Sequence, residues 1–283
     1  AQPWPPTSPS LPVSTATLLT FSNDSPHISV IDADTNTVVK TADIDEILKW
    51  TWNDDNDYFD GKVVWLGLKY PESDDAVVIS LDVNTLEVTN RLSVGKEAKN
   101  IYIGKAAKNG ILHVGKQGSA EVVTIDTKTA TVLDTWENMP VNKEDGVVCD
   151  ADVGIGPDGV ERFYYPTRKG DSVVSVNVET GALIKHTIIP DGSNSLMHTN
   201  APDGNMWVQE VASNTNAVFD AITLELLARI PAASSPVVGT FSPDGKLAYL
   251  GHSGDRRGRG RASGGGCPGG RRKLRNGVAA QRQ

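Results

Sequence analysis

Carboxylates, carboxamides and an imidazole gathered at one point can hold a divalent cation, or polarise a lactone carbonyl or a water molecule. Six residues are candidates for such a point: Asn53, Asp54, Asn100, Asp150, Asp152 and His198. They fall in Trp50-Thr-Trp-Asn-Asp-Asp55, Ala98-Lys-Asn-Ile101, Cys149-Asp-Ala-Asp152 and Leu196-Met-His-Thr199, short segments that lead into the first strand of successive sequence repeats. Asp152 and His198 are the candidate metal ligands within the set; no cofactor is evident from a motif, and a divalent cation is the one the set could take. Taken singly, each residue reads as a strand-end cap that bonds loop amides, which is where Asp and Asn are favoured. The set gains chemical meaning only if three or more converge.

Other catalytic patterns are missing from the sequence. The five histidines show neither His-x-His nor His-Glu-x-x-His spacing. His113 and His252 sit within second strands, and His27 and His186 read as surface residues. Glu210 is in chain reach of His198 but reads as a blade-edge carboxylate. The acidic run Asn53-Asp-Asp-Asn-Asp57 has calcium-loop composition without the central Gly or terminal Glu of an EF-hand. No phosphate loop, nucleophile elbow or Ser/His/Asp order is visible. No catalytic residue is therefore assigned.

The elements that must position the six residues recur along the chain. An apolar-Asp step appears at Val30-Ile31-Asp32, Ser80-Leu81-Asp82, Thr124-Ile125-Asp126, Ser175-Val176-Asn177 and Val218-Phe219-Asp220, at intervals of 50, 44, 51 and 43 residues. Each step enters a Thr-bearing turn, because an Asp or Asn side chain can accept bonds from amides two residues on. A second marker is Pro157-Asp158-Gly159, Pro202-Asp203-Gly204 and Pro243-Asp244-Gly245, with Phe59-Asp60-Gly61 and Lys108-Asn109-Gly110 as looser copies. Here Pro presets φ and Gly supplies φ > 0, so each predicts a tight hairpin turn. Apolar runs of four to six residues between these signals predict strands. Four short strands per unit, repeated radially, predict an all-β chain folded as a β-propeller of four-stranded blades.

The Pro-Asp-Gly turns, Ala248-Tyr249-Leu250-Gly251 and the apolar-Asp-x-x-Thr step resemble YVTN-type repeat propellers. That family lies close to the lactonase-like and quinoprotein-amine-dehydrogenase-like seven-bladed groups. The resemblance covers about residues 15–255. It implies seven blades, of which about five and a half are present. Blade one lacks a clear first strand, and blade six stops after its second.

Residues 1–14 read as a Pro/Ser-rich leader, 15–255 as the propeller and 256–283 as a basic Gly/Arg-rich tail. Nine of the 27 Lys and Arg and none of the 35 acidic residues lie in 256–283, so 1–255 carries −17 and the tail +9. An acidic body repels nucleic acid, and none is expected as a partner of 1–255. A tail with no periodicity, joined where a third strand is due, reads as the product of a reading-frame error; the alternative is a basic tail that binds nucleic acid or an acidic surface. Arg256–Arg261 can be back-translated so that a one-base shift spells Val-Ala-Val-Val-Asp, the missing strand and its Asp step. The start without Met and the sequon Asn23-Asp24-Ser25, with Asn23 as glycosylation acceptor, point to a secreted, extracellular or periplasmic protein. No apolar run reaches membrane-spanning length. An incomplete propeller exposes blade edges, so self-association and poor solubility are expected. The functional expectation is a binding or interaction propeller for a small molecule or protein. The alternative is a metal-assisted lactonase or lyase built on the axial Asp/His set.

Overall fold

The computed structural model describes residues 17–21, 27–44, 49–50, 62–69, 75–96, 100–104, 109–117, 119–140, 151–167, 172–189, 195–201, 204–242, 244–253 and 279–282. Among them the strands form six antiparallel sheets in chain order. The first is β1 (Thr17–Phe21), β2 (His27–Asp32) and β3 (Thr37–Asp43). The second is β4 (Lys49–Trp50), β5 (Val63–Lys69), β6 (Ala76–Asp82) and β7 (Val88–Ser93). The third is β8 (Asn100–Gly104), β9 (Ile111–Gln117), β10 (Val122–Asp126) and β11 (Thr131–Trp136). The fourth is β12 (Asp152–Ile155), β13 (Glu161–Thr167), β14 (Ser172–Asn177) and β15 (Leu183–Ile188). The fifth is β16 (Ser195–Asn200), β17 (Asn205–Glu210), β18 (Thr215–Asp220) and β19 (Leu226–Pro231). The sixth is β20 (Pro236–Phe241), β21 (Leu247–His252) and β22 (Ala279–Arg282).

Every four-stranded sheet is a simple meander, so its first strand in sequence is always an edge strand. The first sheet has three strands, as expected for a blade without its own first strand. The sixth departs from expectation. Its third position is taken by Ala279–Arg282 of the tail, with Leu247 opposite Arg282 and Leu250 opposite Ala279. The physical reason is general: an unpaired edge such as that of β21 offers backbone groups that any extended segment can bond, whatever its side chains. No helix among the described residues is long and apolar enough to cross a membrane.

The Asp step behaves as its chemistry predicts. The Asp32 carboxylate accepts from the Asp34 and Thr35 amides at 3.0 and 2.8 Å. Asp82, Asp126 and Asp220 accept in the same way from residues two and three on. Asn177 does so with its carboxamide oxygen, at 2.9 and 3.0 Å. The residue after each turn Thr is left-handed: Asn36, Leu86, Ala130, Gly181 and Leu224. Left-handed backbone costs an ordinary residue roughly 1–2 kcal/mol. Leu86 and Leu224 are buried, and burying a leucine is worth roughly 1.5–3 kcal/mol, which outweighs that strain. Gly181 has a different reason. A Cβ there would lie 2.5 Å from the Trp136 ring, so glycine lets the indole cover the turn. The Pro-Asp-Gly turns close with Gly159, Gly204 and Gly245 amides donating back three residues, each glycine at positive φ.

These turns predict acid sensitivity. The Thr35 amide and hydroxyl hold the Asp32 carboxyl below 3.8, the Lys128 amide does so for Asp126, and the Thr223 amide for Asp220. The Arg162 guanidinium holds Asp158 at about 2. A carboxyl depressed on folding stabilises above its unfolded pKa, and that contribution disappears as pH falls through the folded value. Stability is therefore expected to fall between about pH 4 and pH 2. Asn177 already performs this role without ionising. A triple Asp32→Asn, Asp126→Asn, Asp220→Asn variant should fold and show a shallower drop in urea midpoint from pH 6 to pH 3. An unchanged drop would refute the assignment.

The chain divides into two compact units, residues 1–114 with 123–134, and residues 115–122 with 135–283. In the first, Ile28 and Val30 of β2 pack against Val64, Leu66 and Leu68 of β5. The opposite face of the second sheet packs Trp65 and Val78 against Ile101, Leu112 and Ile125. In the second unit, Tyr164 and Val173 of the fourth sheet meet Met206, Val208, Ala217 and Phe219 of the fifth. Trp207 and Val218, on the fifth sheet's other face, meet Ala248 and Phe241 of the sixth. Side chains that alternate along a strand thus serve two different neighbours.

Candidate functional site

Three of the six expected axial residues lie on first strands. Asn100 opens β8, Asp152 opens β12 opposite Tyr164, and His198 lies in β16 opposite Val208. In the second unit β12 and β16 are neighbours, so Asp152 and His198 belong to adjacent edge strands. Asn100 belongs to the first unit. The side chains of these three, and all of Asn23, Asn53, Asp54 and Asp150, lie outside the described residues. The described strand Lys49–Trp50 of the second sheet reaches the first residue of the segment 50–55 that carries Asn53 and Asp54.

Tyr164, across from Asp152, is a strut. Its hydroxyl donates to the Ala221 carbonyl at 2.7 Å, and burial pushes its pKa up to about 12. Tyr165 is likewise raised by burial. Neither suits proton transfer near neutrality. Arg162 forks onto Asp158 at 2.9 and 2.6 Å, which ties the start of β13 to the preceding turn. Among the described residues, no three His, Cys, Asp or Glu side chains are grouped to hold a metal ion.

The far ends of the second strands carry buried polar pairs. Lys116 bonds Glu121, and the Thr167 and Ser172 hydroxyls meet at 2.7 Å. Glu210 overturns its expected role as a blade-edge carboxylate. It is fully buried and receives the Arg229 guanidinium at 3.1 and 3.3 Å and the Thr215 hydroxyl. Its position at a strand end suggested solvent, but β19 brings Arg229 over it.

The position beside it was not singled out by sequence reasoning. Gln209 and Asn216 stand opposite each other on β17 and β18, and both are fully buried. Among the described residues, none of their four amide N and O atoms has a hydrogen-bond partner. Corresponding pairs elsewhere are Phe21 with Ile28, Gly67 with Val78 and Pro166 with Val173. A polar group buried without a partner costs roughly 1–3 kcal/mol. The usable signal was the repeat itself, which places Gln and Asn where other repeats place Phe, Ile, Gly, Pro and Val.

No family model matches this chain, and no curated protein matches it. Solved structures do. A protein of unknown function from Bacteroides caccae is 11% identical, with a TM-score of 0.59 and 85% of this chain and 84% of that one covered. Virginiamycin B lyase from Staphylococcus aureus is 12% identical, with a TM-score of 0.61 and 84% and 75% covered. Dihydro-heme d1 dehydrogenase NirN is 15% identical, with a TM-score of 0.59 over 89% of this chain and 52% of that one. These likenesses and the six meander sheets establish a β-propeller of four-stranded blades. The resemblance to YVTN repeats is supported only as far as that fold, with proteins of catalytic and of unassigned function among its neighbours.

Proposed function

We propose that this propeller is a binding protein that takes a small ligand at the first strands of its second unit, with a divalent cation held by Asp152 and His198. The observation that supports it is the placement of both residues on neighbouring edge strands of one unit, β12 and β16. A carboxylate and an imidazole together suit a divalent transition ion better than calcium. The second reading is a metal-assisted lyase or lactonase. It is favoured by the same pair and by the fold likeness to virginiamycin B lyase, one structure of which is in complex with quinupristin.

Metal analysis of the purified chain after exposure to Mn²⁺ and Zn²⁺, beside a turnover assay on quinupristin and a simple lactone, separates the readings. Bound metal lost in Asp152→Ala and His198→Ala, without turnover, is the expected result. Turnover abolished by Asp152→Ala would establish the lyase reading instead. Absence of both metal and turnover would sink both.

A further inference from the structure

From the buried carboxamide pair we infer a second ligand site, between the fifth and sixth sheets, for a small uncharged molecule bearing an amide group. Gln209 and Asn216 share a face with Trp207 and Val218, because opposite residues and alternate residues lie on one side of an antiparallel sheet. That face is the one Ala248 and Phe241 of the sixth sheet pack against. From the sixth sheet, His252 shares the side of Ala248 and Leu250. Its Nδ1 and the Trp207 indole Nε1 are also buried without a hydrogen-bond partner among the described residues. Four polar side chains from two sheets thus address one seam.

Their chemistry selects the ligand. Each carboxamide offers a carbonyl acceptor and an amino donor side by side, and the complement of that pair is another amide. The indole adds one donor. Beside these four polar side chains, the seam carries the apolar residues Val218, Ile230, Phe241, Ala248 and Leu250. Among the described residues, two titratable groups share the two faces. His252 is one. Asp220 is the other, but it sits at the far end of β18, where its carboxylate is engaged by the Ile222 and Thr223 amides. A charged ligand would lose its hydration here without a counter-charge, whereas a neutral amide exchanges water bonds for protein bonds. On the sixth-sheet side Val237, Gly239 and Phe241 are only half-buried, so that side of the seam is the more accessible to water.

The amide pair is placed for binding at the expense of stability. An apolar pair, as in the other blades, fills the same position without stranded donors and acceptors. This separates the site from the axial reading, since neither Asp152 nor His198 takes part.

Ligand-detected NMR on the full chain tests it, with acetamide as probe and acetate as its charged isostere. The expected result is saturable transfer to acetamide, at least five-fold weaker transfer to acetate, and loss of the acetamide signal in a Gln209→Met, Asn216→Val double variant. That variant should melt at the same temperature as the parent or higher. Absent or non-saturable acetamide transfer, an equal response to acetate, or a signal retained in the double variant would overturn the site. Should the double variant not fold, Asn216→Val alone must lower acetamide transfer several-fold, and an unchanged signal would be equally fatal. The metal-binding variants Asp152→Ala and His198→Ala should leave acetamide transfer unaltered.

Discussion

Replacing Trp207 by alanine is expected to destabilise the second unit by about 3–5 kcal/mol, the cost of deleting a large aromatic side chain from a packed core. Trp207 is 5% exposed and meets Phe241 edge to face, with ring centroids 5.2 Å apart. It also packs with Val218 and Ala248. Its indole nitrogen has no partner among the described residues, so truncation removes packing and leaves no broken hydrogen bond. Trp207→Phe should therefore cost much less, about 1–2 kcal/mol, since most of the apolar contact survives. Urea denaturation followed by a probe in the fifth or sixth sheet reads the difference. A loss below about 1 kcal/mol for the alanine variant would mean that the fifth and sixth sheets do not share this core.

Arg229→Leu is expected to cost about 3 kcal/mol, because it leaves the Glu210 carboxylate buried without its counter-charge. The figure sits at the low end for buried pairs because the Arg229 side chain remains 29% exposed and is partly screened by water. The bond to Thr215 survives but supplies no charge. The informative experiment is a double-mutant cycle. Glu210→Met with Arg229→Leu should recover most of the loss, since a buried ion pair is often replaceable by apolar side chains of similar volume. Additive losses in the double variant would show that Arg229 acts through its stem and not through its charge.

The elements most readable in the sequence are those made by residues within five positions of one another. Asp32, Asp82, Asp126, Asn177 and Asp220 were each identified by the residues that follow them, and each accepts the amides two and three residues on. Spacing likewise revealed the Pro-Asp-Gly turns, where glycine at positive φ is a property of the residue itself. The left-handed Leu86 and Leu224 were not readable. Leucine gives no local hint of that conformation, and the compensation comes from burial.

Function was less legible than fold for the same reason. Asn100, Asp152 and His198 could be assigned to first strands from the repeat alone. Glu210 was misread because its partner lies 19 residues away, across a strand pair and a turn. Gln209 and Asn216 are adjacent only through the register of β17 on β18, and they face the sixth sheet only because Trp207 does.

By itself the sequence determined the period, the turns and hence the order of strands in each meander, because short-range hydrogen bonds and side-chain alternation act before any sheet meets another. Only the tertiary structure decided which face of each sheet meets which neighbour. That choice assigned Arg229 to Glu210 and put an unpaired amide couple in a seam, because burial and partnership depend on residues far apart in the chain.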